Sequence, residues 1–408
     1  MTQPQVSIVI VSRQRPAALS LCLAAVARLT YPTYEVIVVA DQAGLEAVSR
    51  LPFSGFIKPV AFDEPNIAAA RNRGIAQAAG QIVAFLDDDA VPEPRWLDHL
   101  VRPFVDPGVA AAGGYVLGRN GISFQWRGRI VDQTGTAQDV TLNQRNPTVL
   151  TPPPGWAVKT EGTNMALRRE VLARMGGFDP AFHFYLDETD VNMRLAALGF
   201  STAIVPLAQV HHGYAASPRR RRDRTVRDLR QIAASTVVFL RKHCPSARHD
   251  ATLGAAMADQ RKRLLSQMIA GQQEPRDIRR LLQGWSEGLA EGRLRNLTAP
   301  TPMPDPQADF LPFQSLFSSG HRIVQGYLTQ ERTLRDQARR LAEQGHTVSL
   351  FLLSRTTLYH RVRFDPAGYW EQTGGVFGRS DRSDPLFRVG RLKTRVAREV
   401  ERIGAVRF

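Results

Sequence analysis

Ile82-Val83-Ala84-Phe85-Leu86-Asp87-Asp88-Asp89 decides the fold. Five apolar residues in succession, bounded by polar ones, predict a strand buried on both faces, as in a sheet covered by helices on each side. Carboxylates do not fit inside such a strand, because an unpaired buried charge is very costly. They fit at its carboxyl end, where an open α/β sheet keeps its ligand crevice. Three like charges crowded there repel one another. A hard divalent cation with oxygen ligands relieves that repulsion and holds a diphosphate at the same time. A solvated acidic turn is the plainer alternative, and the flanking sequence weighs against it.

Upstream, Val6-Ser7-Ile8-Val9-Ile10-Val11 and Tyr34-Glu35-Val36-Ile37-Val38-Val39-Ala40 predict two more strands. Arg15-Pro16 marks a helix start, with Leu19, Leu21, Leu23 and Val26 following. An alanine-rich helical pattern covers 67–79. Strand, helix, strand, helix, strand at short spacing predicts a parallel sheet with helices on its faces. Downstream, strands are expected over 109–116, 162–167 and 201–206, and helices over 168–175 and 187–198, the last with acids in its first turn.

The chain has 408 residues, 43% of them hydrophobic, which allows one large domain or two ordinary ones. Its formal charge is +15, from 53 basic and 38 acidic residues. That excess favours anionic partners without choosing among them. Cys22 and Cys244 are the two cysteines, too few and too far apart for a disulfide framework or a metal motif. Met1-Thr2-Gln3-Pro4 leads into a strand with no export signal, and no apolar stretch reaches the ~20 residues that span a bilayer. The expectation is a cytoplasmic protein, peripheral at most at the inner face of the membrane.

Composition divides the chain at Ser217-Pro218. Residues 1–217 form the α/β domain. Residues 218–298 read as an arginine-rich helical region, opened by Arg219-Arg220-Arg221-Arg222-Asp223-Arg224. Residues 299–309 read as a proline-rich linker. Residues 310–408 read as a small α/β segment, with a helix over 328–344, a strand over 347–353 and a basic helical tail over 388–407. No internal repeat is present.

Several ordered pieces carry a family resemblance: the first strand with Arg13 to Arg15; Asp41; Asn66-Ile67-Ala68-Ala69-Ala70-Arg71-Asn72-Arg73-Gly74; the aspartate trio; Gly162-Thr163-Asn164; Gly176-Gly177-Phe178-Asp179; Asp187-Glu188-Thr189-Asp190 with Arg194; and His212-Gly213. In this order and spacing, residues 6–217 resemble a family 2 glycosyltransferase of the GT-A fold. The resemblance implies transfer of a hexose or deoxyhexose from a UDP-, GDP- or dTDP-sugar, with inversion, to a glycan or lipid-linked acceptor in cell-surface polysaccharide synthesis. It also implies a divalent cofactor, Mn²⁺ or Mg²⁺.

By the same resemblance Arg13, Asp41, Arg71, Asp87 and Asp88 fall on the donor side, with Asp41 and Asp87 toward base and ribose. For Arg13 a surface turn charge and for Asp41 a helix cap are the competing readings. Asp89 and His212 are the implied metal ligands, His211 being the alternative if the register slips by one. The implied base is Glu188, with Asp187 open beside it because the usual Glu-Asp order is reversed. Inversion needs such a base to remove the acceptor proton as its oxygen attacks. Gly162, Asn164 and Trp156 fall on the acceptor side, and a buried core Trp156 is the equal alternative. The arginine run suits an acidic ligand or an anionic membrane surface met through the basic helices.

Three other classes fit less well. A non-catalytic glycan-binding or scaffold protein keeping this fold has no need of the intact acids. A nucleotidyltransferase calls for a glycine-rich phosphate loop after the first strand, and Val11 to Ala17 contains no glycine. Nucleic-acid binding has no recognisable module to support it.

Overall fold

The computed structural model describes residues 3–297, 299–317 and 319–408. Met1 and Thr2, part of the amino-terminal reading above, lie outside the described residues. A large mixed sheet runs in the order Thr148–Leu150, Ser201–His212, Val109–Leu117, Asn164–Arg168, Ile82–Asp87, Val6–Ser12, Tyr34–Ala40, Ile57–Ala61. The last four of these are mutually parallel. Asn164–Arg168 is antiparallel to both its neighbours, while Ser201–His212 runs parallel to Val109–Leu117. This is the α/β sheet flanked by helices expected of a GT-A fold.

The near-continuous apolar strands follow from burial on both faces. Ile8, Ile10, Val36, Val38, Ile82, Ala84 and Leu86 enter one core cluster, and Val9, Ile37, Val39, Val83 and Phe85 the other. The period of two is intact, but both faces are apolar because helices cover both. Glu35 breaks the pattern. It is fully buried, and Lys58 (2.7 Å), Ser7 (2.6 Å), Ala79 N (2.8 Å) and Leu311 N (2.9 Å) satisfy its carboxylate. Register brings Val11 opposite Asp87 and Ser12 opposite Ala40, so the carboxyl ends of the parallel strands form one edge.

Beyond the sheet, the helices Arg230–His243, His249–Ile269 and Pro275–Leu294 form the basic helical region. The arginine run itself is not helical, contrary to expectation. Residues 215–229 form an irregular loop with isolated bridges that lies along the cleft, and Arg224 within it takes a left-handed φ of 75°. The proline-rich stretch is extended and held against the amino-terminal α/β domain by Met303 N to Ala173 O and Gln307 N to Ala76 O, each 2.8 Å. Phe313 then stacks on Tyr34 at 5.3 Å. A second sheet, in the order Ser319–Tyr327, His346–Ser354, Tyr369–Gly375, Arg361–Asp365, packs with helices Glu331–Glu343 and Leu392–Arg407 to make the C-terminal unit. Among the described residues no helix is long and apolar enough to cross a membrane.

Candidate active site

A cleft of about 770 Å³ opens at the carboxyl edge of the parallel strands. Its walls concentrate backbone strain. Among the described residues, Gln14, Tyr185, Leu186, Tyr214 and Arg224 are the non-glycine residues with left-handed φ, and all of them line this cleft. Each such conformation costs about 1–3 kcal/mol and persists only where the surroundings enforce it, commonly at functional sites.

At one end, ligand atoms of Asp87, Asp89 and His212 lie within 4.8 Å of one another. Asp87 ends its strand, and Asp89 is held in the next turn by Ala215 N at 2.8 Å. His212 comes from the end of the long strand Ser201–His212. Its Nδ1 lies 3.0 Å from Gln125 Oε1, an acceptor, so Nδ1 carries the hydrogen. The other ring nitrogen, Nε2, faces Asp89 Oδ1 at 3.6 Å. The oriented imidazole and two carboxylates therefore fit Mn²⁺ or Mg²⁺. The neighbouring His211 faces the opposite way, onto Glu93 at 2.7 Å.

Asp88 does not line the cleft. It is fully buried, accepts from Ser12 Oγ at 2.7 Å and lies 2.6 Å from Arg15 Nη2. Burial pushes its carboxyl up to about 7, even though Arg15 pulls the other way. The expected donor contact is thus corrected: Asp88 anchors Arg15, which in turn reaches Asp89 at 3.5 Å. Asp41 caps the helix Gln42–Ser49 through Gly44 N (2.9 Å) and accepts Gln14 N (2.8 Å), so the capping role is present. Arg13 lines the cleft and pairs with Asp63 at 2.8 Å.

Arg71 links the two ends of the cleft. Buried in the helix Ile67–Gln77, it pairs with Asp187, reaches Asp87 at 3.4 Å and donates to Gly162 O at 3.2 Å. A Cβ on Gly162 would stand 2.4 Å from Arg71 Nη2, so a side chain there would push the Arg71 guanidinium out of its place between Asp187 and Asp87.

Asp187 and Glu188 open the helix Asp187–Ala197, and both line the cleft. Their environments drive them apart. Burial raises Asp187, with Glu188 adding repulsion against the pull of Arg71. Burial would raise Glu188 too, but Lys159 Nζ at 2.9 Å holds it below the ordinary carboxylate range. Paired carboxylates separated in this way are the usual basis for distinct acid and base roles. Asp190 pairs with Arg194 at 2.9 Å and with Lys242 at 2.7 Å, which fixes the helix start.

On the acceptor side the correction is Asn164. It is fully buried, and its side chain is consumed by Trp96 Nε1, Tyr115 O and Ala208 O at 2.7–2.9 Å. Trp156 is half-buried in a small separate sheet and is not on the cleft wall. The neighbouring Thr163 is on the wall, and its buried Oγ1 has no partner among the described residues. Lys159 on the cleft wall and Gln125 behind His212 were not singled out from sequence. A lone lysine or amide in a short strand gives no periodic signal.

A family model described as "Glycosyltransferase like family 2" matches residues 4–232. "O-antigen biosynthesis protein RfbC" of Myxococcus xanthus is 30% identical over 229 residues, which is 53% of this chain and 18% of that protein. "Glycosyltransferase AglE" of Haloferax volcanii is 35% identical over 122 residues, 28% of this chain and 40% of that protein. The chain thus spans less than half the length of these curated relatives. Among solved structures, "Mannosyltransferase PcManGT from Pyrobaculum calidifontis in complex with GDP-Man and Mn2+" aligns with a TM-score of 0.44 at 19% identity, over 73% of this chain and 88% of that one.

Proposed function

Because this chain belongs to the family 2 glycosyltransferases, we propose that it moves a sugar, with inversion, from a nucleoside-diphosphate donor to a hydroxyl of a glycan or lipid-linked acceptor in the assembly of a surface polysaccharide. The O-antigen role in the name of one relative supports that acceptor class. The observation that carries the reading is the meeting of Asp87, Asp89 and His212 at one end of a cleft whose other wall holds Asp187 and Glu188.

Asp89, His212 and Asp87 would hold the cation, which supplies Lewis-acid charge to a departing diphosphate. Arg13, Arg71, Arg219, Arg220, Arg221 and Arg224 border the same space and offer donors to its oxygens. Glu188 is ionised at neutral pH and takes the acceptor proton. As it does so, the acceptor oxygen bonds to the anomeric carbon and the bond from that carbon to the diphosphate breaks. Lys159 and Arg71 hold the two acids apart in role, Asp187 serving to fix Arg71. Thr163 Oγ1 is free to bond a ligand on the acceptor side. Exposed Ile269 and Leu294, with the arginines of the helices that carry them, support a peripheral contact with an anionic membrane.

The test is a donor-hydrolysis and transfer screen over UDP-, GDP- and dTDP-sugars with Mn²⁺ or Mg²⁺. Asp89→Asn and Glu188→Gln should each lower turnover by at least about 100-fold, the scale of a general base, with the fold retained. Wild-type rates in both variants reject the proposal.

A further inference from the structure

The transferase half and the C-terminal unit enclose a second cavity of about 460 Å³ beside the metal end of the cleft. Its two sides are locked together by buried charges. Arg407, near the last residue of the chain, donates to both oxygens of Glu93 at 2.7 and 2.8 Å. Glu93 also meets His211 at 2.7 Å, and Trp370 packs on both Arg407 (4.3 Å) and His211 (4.5 Å). Val362 N donates to Asn120 O at 2.8 Å across the rim. Such contacts hold the walls in one geometry, so the cavity is preorganised. Its size falls within the range of small-ligand sites.

The wall carries four guanidinium groups, Arg119, Arg224, Arg379 and Arg382. Arg119 and Arg224 lie over the Tyr214 ring at 5.5 and 4.6 Å, and Arg379 lies over Tyr359 at 4.9 Å. None has a carboxylate at ion-pair distance among the described residues. Asp381, the one carboxylate on the wall, is occupied by Ser383 N (2.9 Å) and Oγ (2.7 Å). Clustered cations without counter-charges, with aromatic faces between them, suit an anionic group attached to a ring or chain. Tyr214 and Arg224 also line the cleft, and both hold left-handed backbone, φ 54° and 75°. The partition between the two cavities is therefore strained, as recognition elements often are.

We propose that this cavity is an anion subsite that takes a phosphate or carboxylate group carried by the acceptor, one wall away from the metal cluster. That the acceptor brings the anion rests on the transferase reading above; that an anion binds does not.

The first arm titrates inorganic pyrophosphate into the full chain in EDTA by calorimetry. Arg379→Gln/Arg382→Gln, on loops of the C-terminal unit, should weaken binding by about tenfold or more without moving the melting temperature. Equal affinity in the wild type and the double variant overturns the site. The second arm compares a diphosphate-bearing acceptor with the same glycan lacking the diphosphate. The double variant should raise KM about tenfold for the charged acceptor alone. Lost pyrophosphate binding with both KM values unchanged assigns the site to a free anion and overturns the acceptor as its source. If the wild type transfers to neither acceptor while pyrophosphate binding still depends on Arg379 and Arg382, the transferase reading fails and the anion subsite stands.

Discussion

Replacing Lys159 with methionine keeps the apolar stem of the side chain and removes one charge from beside Glu188. The ammonium lies 2.9 Å from Glu188 and 4.0 Å from Glu161, with only 11% of the lysine side chain exposed. At an effective dielectric of about 20, a pair at the shorter distance interacts by about 6 kcal/mol. Since 1.36 kcal/mol corresponds to one pH unit, the ceiling is a rise of about 4 pH units in the Glu188 titration. Arg71 stays nearby and water relaxes around the gap, so a rise of at least about 2 pH units is expected. The sign follows from burial, which raises Glu188 once Lys159 no longer holds it down. In the wild type Glu188 is ionised throughout the neutral range. In Lys159→Met it gains a proton as pH falls below neutrality, and a protonated carboxyl accepts nothing from the acceptor. The assay is kcat/KM for transfer between about pH 3 and pH 9, which spans the expected new position of the limb. Its acid limb should move up by about 2 pH units or more, and Lys159→Arg should restore it. An acid limb that stays in place in Lys159→Met refutes either the role of Glu188 as base or its control by Lys159.

Three further outcomes follow from the packing. Arg71→Met leaves Asp187 and Asp87 without their shared cation and should cost about 3–5 kcal/mol in urea unfolding; a cost below about 1 kcal/mol contradicts the pairing. Asp41→Ala removes a helix cap and should cost about 1 kcal/mol, measured the same way. Burial would raise Glu93, but Arg407 and His211 hold it at about 2 rather than 4.5, which is worth about 3 kcal/mol. That stability is present above about pH 4.5 and is lost as pH falls toward 2, so unfolding at pH 6 and pH 3 should differ by less in Arg407→Met than in the wild type.

Much of the sheet was readable because its strands are buried on both faces, and each apolar run ended at a polar residue that the fold puts on one edge. Asp87 and Asp89 were legible for that reason. The register of His211 and His212 was not, since two adjacent histidines on a strand face opposite sides and only Glu93, 118 positions away, says which side is the core. Asn164 and Asp88 looked like site residues because they sit beside site residues in sequence. Their side chains turn inward instead, to Trp96 and to Arg15. The arginine run resembled a helix by composition, whereas its conformation is set by the cleft it borders. In the C-terminal unit, the strongly patterned helix, the central strand and the basic tail helix were visible. The strands Arg361–Asp365 and Tyr369–Gly375 are short and half-polar, and contacts far away in sequence define them.

The proposed cation between Asp89 and His212 is tested most directly by calorimetric titration of UDP and GDP in the presence and absence of Mn²⁺, which does not require turnover. At least one nucleotide should bind only with Mn²⁺, and Asp89→Asn and His212→Ala should each weaken that binding, and Mn²⁺ retention seen by electron paramagnetic resonance, by about tenfold or more. Nucleotide binding that ignores Mn²⁺ and is equal in all three proteins would contradict the account.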